Sequence, residues 1–136
     1  MTTTLNAVTS TGLVQTSDGS GVIKVQSNGV TTNALAWVKF AGSTGTIAAS
    51  YNVSSITRIS TGKYTVNFTN STTDANYAPV LSATGIYNGT VFEISDTSGG
   101  DGTNGQTTSL FSFACRYNGA STTADPLAVF SAVFGN

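Results

Sequence analysis

The chain has no histidine, one cysteine, one tryptophan and two prolines in 136 residues, and only 8% of its residues are charged. Each shortage removes a class of chemistry. Without histidine there is no ordinary general base near neutral pH, no Ser/His or Cys/His nucleophile pair, and no usual zinc or copper ligand set. Cys115 stands alone, so no intramolecular disulfide is possible, and its place in the apolar run Leu110 to Tyr117 marks it as a buried, inert thiol. The basic residues Lys24, Lys39, Arg58, Lys63 and Arg116 are spread singly along the chain. No cluster among them could neutralise a run of phosphates, so no nucleic acid partner is expected. No stretch approaches the roughly 18 apolar residues of a membrane span. The opening MTTTLNAVTSTG lacks the basic and apolar regions of a secretory leader, so the expectation is no membrane insertion and no secretory export. Assembly into a particle, followed by lysis, is the route that would carry it outside a cell.

What the chain does have is threonine, serine, asparagine and glycine in place of solubilising charge, a composition that marks β-rich extracellular-type or virion proteins. The organising stretch is Val53 to Phe68. Ser54 to Ile59 and Lys63 to Phe68 read as the two arms of a hairpin around Ser60-Thr61-Gly62, with Tyr64, Val66 and Phe68 on one face and Thr65 and Asn67 on the other. Three such side chains on one strand need a second sheet laid over them. Asn28-Gly29 predicts another hairpin after a strand at Val22 to Gln26. Leu35 to Phe40 carries large apolar groups on both faces, which predicts a central strand. Tyr77 to Ala83 contains Pro79, which lacks a backbone donor and confines the strand to an edge or a bulge. Val91 to Ile94 is short, and the polar loop Ser95 to Thr108 should be exposed. Leu110 to Tyr117 alternates, with Phe111, Phe113, Cys115 and Tyr117 directed to the core. Leu127 to Phe134 is apolar on both faces, hence central or covered by another subunit. Turn signals about every ten residues and the lack of any long helical period predict an all-β fold. The expectation is an antiparallel β-sandwich of about eight strands over residues 22–136, preceded by a polar N-terminal arm over residues 1–21.

Candidate sites are few. The local carboxylate pair Glu93 and Asp96 is separated by an odd number of residues, which on a continuing strand places the two on opposite faces, so no glycosidase pair is expected. Asp96, Asp101 and Asn104 in the Gly-rich loop offer oxygen ligands for calcium, but the spacing is not that of an EF-hand, and a solvated loop is the plainer reading. The sequons at Asn52, Asn67, Asn70 and Asn88 are what chance supplies in a chain this rich in Asn, Ser and Thr. Aromatic side chains stack on the apolar face of a sugar ring, so Trp37, Tyr51, Tyr77, Tyr87 and Tyr117 form a candidate glycan surface; the alternative is that they close the ends of the core. Tyr87 with Asn88, and Tyr117 with Asn118, lie at strand ends near loops and are the candidate surface-binding residues. No catalytic residue, metal ligand or cofactor site is expected.

The order of Ala36-Trp37-Val38-Lys39-Phe40, Ser50-Tyr51-Asn52-Val53-Ser54-Ser55-Ile56, Gly62-Lys63-Tyr64-Thr65-Val66-Asn67-Phe68 and Asp74-Ala75-Asn76-Tyr77-Ala78 resembles a small module of tailed bacteriophages, marine ones especially. The closing Asp125-Pro126 and Val129 to Gly135 are similar to the end of the same module. The resemblance runs from about residue 34 to the C-terminus. It implies an all-β virion component, not an enzyme, displayed in oligomers on fibre, tail or capsid. With only the first 33 or so residues preceding the module, the resemblance favours a capsid decoration (cement) protein over a complete tail fibre. The alternatives are a tail or tail-fibre protein binding the host surface and a lectin-like carbohydrate-binding module. The partners it implies are the chain itself, as a homotrimer, coat or tail proteins of the virion, and a host-surface glycan.

Overall fold

The computed structural model describes residues 25–27, 30–85, 90–94, 105–117 and 122–135. The expected arm, residues 1–21, lies outside them. Strands β1 (Gln26–Ser27) and β2 (Val30–Thr31) pair antiparallel on either side of positions 28 and 29, as a hairpin there requires, but of the strand expected at Val22 to Gln26 only Gln26 belongs to β1: Val25 lies outside the strand, and residues 22–24 lie outside the described residues. The remaining strands are β3 (Ala36–Phe40), β4 (Ile47–Tyr51), β5 (Val53–Ser60), β6 (Lys63–Phe68), β7 (Ala78–Thr84), β8 (Thr90–Ile94), β9 (Leu110–Tyr117) and β10 (Ala128–Phe134). They form two four-stranded antiparallel sheets, in the orders β4-β3-β10-β7 and β5-β6-β9-β8. The expected all-β sandwich is the observed fold.

Strand chemistry decides each place in these sheets. Pro79 sits in β7, an edge strand, where its missing donor costs no ladder bond. β10, apolar on both faces, lies between β3 and β7, and β3 lies between β4 and β10. Between the sheets, Ala36, Val38 and Phe40 of β3 and Val129 and Val133 of β10 meet Tyr64, Val66 and Phe68 of β6 and Phe111, Phe113 and Cys115 of β9. The aromatic rings link the layers: Phe40 packs edge-on to Tyr64 at 5.2 Å between centroids, and Tyr64 lies 5.3 Å from Phe113. Such pairs add about 1 kcal/mol each beyond burial.

Two residues with positive φ set the connections. Asn52, at φ 54°, is where the chain leaves β4 in one sheet and enters β5 in the other. Its amide donates to the carbonyls of Leu35 and Asn70, and its Oδ1 accepts from Asn70 N–H at 2.8 Å, which holds the crossing in place. Gly62, at φ 67°, turns β5 into β6 and accepts no side chain, since an added Cβ would lie 2.6 Å from Ala124 N.

Three expectations need correction. Tyr77 precedes β7 and is buried rather than lying in the strand. Ile47 to Tyr51, which is not among the strands expected from the sequence pattern, is a strand of its own and an edge of the first sheet. The end of the loop expected to be exposed folds back instead: Gly105 is buried, its carbonyl accepts from Ser112 N–H, and Gln106 bridges to Phe111. A stretch with no apolar content can still be drawn into the sheet when its backbone completes the β9 ladder.

Candidate functional site

In an antiparallel pair, residues directly opposite one another share a face. That rule, applied to the register of the first sheet, assembles a row on its outer surface: Tyr51 opposite Trp37, Trp37 opposite Ala132, and Ala132 opposite Val80. The row crosses all four strands, about 15 Å from end to end. A second row places Ala49, Lys39, Phe130 and Ser82 beside it. Trp37 and Tyr51 are each 42% exposed, Val80 58% and Phe134 41%. Isolated apolar residues on a surface are ordinary, whereas these stand opposite one another on one sheet face.

Among the described residues, the strands place one charge on this face. The ammonium of Lys39 lies 5.4 Å from the centre of the Phe130 ring, so the cation is held against the aromatic face rather than projected from it. On the same surface Ser82 and Thr84, which stands opposite Ala128, supply the hydroxyls. The result is a largely apolar sheet face with two aromatic residues opposite each other on neighbouring strands.

The outer face of the second sheet is different in character. Thr65 and Ser112 stand opposite each other and share a buried hydrogen bond of 2.8 Å between hydroxyls. Asn67 donates to Ser55 and Thr57. Glu93 is engaged by Arg116 across the β8–β9 ladder, so this carboxylate is held in an ion pair on the outer surface.

The structure separates the sequence candidates. Trp37 and Tyr51 come together on the exposed face. Tyr77 does not join them: it lies in the core, its hydroxyl donates to the carbonyls of Thr107 and Leu110, and burial pushes its pKa up to about 12. Tyr117 stands half-buried at the end of β9 opposite Thr90, with its backbone N–H bonded to Thr122. Tyr87, Asn88 and Asn118 lie outside the described residues, as do Asp96, Asp101 and Asn104 of the proposed calcium loop. Among the described residues no group of three or more His, Cys, Asp or Glu side chains is placed to hold a metal ion. Cys115 is fully buried, and desolvation, with the charge of Asp125 adding to it, pushes its thiol up to about 11.

Sequence reasoning missed the most connected polar residue. Asp125 accepts from Gly62 N–H and Tyr64 Oη, each at 2.7 Å, and is forked by the guanidinium of Arg58. Burial raises its pKa, but the hydrogen bonds from Arg58, Gly62 and Tyr64 outweigh that and hold the carboxyl below its ordinary range. With Ala124 N–H bonded to Cys115 O, this network fastens the segment before β10 onto the β5–β6 turn. Its geometry is that of a structural latch. The signal available in the sequence was Asp125-Pro126, an aspartate fixed by the proline after it, but nothing local showed what it would grip.

Comparison of the chain with protein-family models, with curated proteins and with solved structures finds no match.

Proposed function

We propose that the chain is a non-enzymatic structural protein of a bacteriophage virion, placed on the particle surface as a capsid decoration protein. The observation that carries this reading is the outer face of the β4-β3-β10-β7 sheet, where Trp37, Tyr51, Val80 and Phe134 remain substantially exposed around a single paired cation. A surface of that kind is stabilised by being covered. Removing it from water contributes about 1 kcal/mol for each large side chain whose exposed part is buried. The order of motifs resembling tailed-phage modules supplies the context: itself and coat or tail proteins of the particle are the partners that would do the covering. The protein therefore works by burying surface rather than by transforming a substrate.

A second reading keeps the virion setting and moves the protein to the tail or fibre, where it binds a host-surface glycan. The observation favouring it is the Trp37–Tyr51 pair, two exposed aromatic residues on adjacent strands that could stack on pyranose rings. Immunogold labelling of intact particles separates the two. Label spread over the head supports decoration, label at the tail tips supports attachment, and absence of label from purified particles overturns the virion assignment.

A further inference from the structure

We infer that the outer face of the β4-β3-β10-β7 sheet is covered by the same face of a second copy of this chain, giving a two-fold dimer packed sheet against sheet. The inference rests on the reading of that face as a contact surface, and goes beyond it by naming the occupant.

The edges of the sandwich direct a partner to the face. An edge strand pairs readily with another chain unless something interrupts it, and each of the four edges here is interrupted. In β4 the register shifts between Lys39 and Phe40 of its neighbour, leaving Ala48 as an extra residue. β5 has two such shifts, at Ser54 and Ile59. β7 contains Pro79, and β8 is five residues long with Glu93 engaged by Arg116. Association by strand addition is therefore disfavoured on every side, while the outer face of the first sheet has no comparable device.

The chemistry of the face then selects a second copy over a polyol. A bound sugar needs several placed donors and acceptors for its hydroxyls. Beside the Tyr51–Trp37–Ala132–Val80 row stand Ala49, Lys39, Phe130 and Ser82; Ser82 offers a hydroxyl at one end and Lys39 is turned onto the Phe130 ring, fewer placed polar groups than the several hydroxyls of a sugar need. An apolar, nearly uncharged sheet face is instead complementary to another of the same kind, which can pack at about 10 Å with interdigitating side chains. Lys39 keeps its positive charge while it lies over the Phe130 ring, so two copies have to pack with both ammonium groups left in water. A patch that matches itself generates an isologous pair, whereas a homotrimer, the state expected from the phage resemblance, needs two different surfaces. Four strands of five to seven residues make a plan area of about 400 Å². That is near half of a standard contact of roughly 800 Å² per partner, so the isolated pair should be weak, micromolar or weaker. On a particle carrying many copies, the same contact gains from effective concentration.

The test is sedimentation velocity over about 5 µM to 1 mM, a range suited to so small a contact. The comparison includes Val80→Lys, at the most exposed position of the row, and Thr73→Lys, an equal charge change in an exposed loop. Wild type and Thr73→Lys are expected to convert from monomer to dimer as concentration rises. Val80→Lys is expected to stay monomeric, at least tenfold weaker, with an unchanged melting temperature. A wild-type monomer at 1 mM, a trimer, or a dimer unaffected by Val80→Lys overturns the inference. Dimerisation lost in Val80→Lys, together with unlabelled particles, leaves the inference standing and removes the virion assignment instead.

Discussion

The hydroxyl of Tyr64 donates to Oδ1 of Asp125 at 2.7 Å across 61 positions of sequence, joining the central β6 strand to the segment that feeds β10. The same Oδ1 takes Gly62 N–H, and the Arg58 guanidinium closes the group from the β5 side. One carboxylate thus ties the β5–β6 hairpin in one sheet to the strand that begins the centre of the other. Tyr64 itself is buried, and its pKa is raised by desolvation and then by the bond to Asp125, so the phenol stays a donor.

Replacing Asp125 with Ala leaves Tyr64 Oη and Gly62 N–H without their acceptor in a partly buried site. The expected cost is about 3 kcal/mol of folding stability, since each stranded donor costs roughly 1 to 3 kcal/mol. Urea unfolding followed by tryptophan fluorescence measures it. A loss below 0.5 kcal/mol, by order of magnitude that of an ordinary exposed surface site, would show that the latch carries no weight.

The latch also predicts an acid-labile fold. The folded carboxyl has a lower pKa than the ordinary 3.8, so the unfolded chain binds its proton first as pH falls. The stabilisation is present above that ordinary value and disappears as pH drops through the folded value. Melting temperatures should therefore decline below about pH 4 in the wild type, and the gap between wild type and Asp125→Ala should narrow there. A gap that stays constant down to about pH 2 contradicts this assignment.

Gly62 and Gly45 both have positive φ, but their surroundings differ. A Cβ on Gly62 meets backbone atoms of Ala124 and Cys115 at 2.6 to 2.8 Å, whereas one on Gly45 finds its nearest atom, Ile56 O, at 3.4 Å. Gly45→Ala should then cost about 1 kcal/mol, the conformational strain alone. Gly62→Ala should cost that strain plus backbone displacement, about 3 kcal/mol or more. Equal losses in chemical denaturation would count against the packing of the Ala124 segment onto the turn.

Ser131, on the inward side of β10, is buried, and among the described residues its hydroxyl has no hydrogen-bond partner. Ser131→Ala removes a desolvated hydroxyl that makes no bond and is expected to raise stability by about 1 kcal/mol. A thermal melt that falls instead would mean that the hydroxyl is satisfied in solution.

Much of this fold was legible in the chain because strand periodicity is a local property. The alternation in Lys63 to Phe68 and Leu110 to Tyr117 names the core residues Tyr64, Val66, Phe68, Phe111 and Phe113, and all five are buried. Pro79 at an edge and β10 at a centre follow from a missing donor and from two apolar faces. β4 escaped notice because Ile47-Ala48-Ala49-Ser50-Tyr51 alternates weakly, and its bulge at Ala48 breaks the period further.

The candidate site was legible only as a set of residue types. Trp37 and Tyr51 were named with Tyr77 as potential sugar-stacking rings, yet two of these meet on an open face and the third is sealed in the core. Local sequence cannot separate them, because β3 offers an apolar group on either side and the choice of Ala36, Val38 and Phe40 as the inward set depends on what the facing sheet can accommodate. Phe40 fills the space beside Tyr64 and Phe113, and that packing turns Trp37 outward. The chain alone determined that one sheet would need another laid over it and that β3 would lie at a centre, since alternation, proline and turn residues act within a few positions. Which polar side chains would meet and which aromatic face would remain open was decided only by the tertiary structure, since register and sheet-to-sheet packing couple residues far apart in sequence.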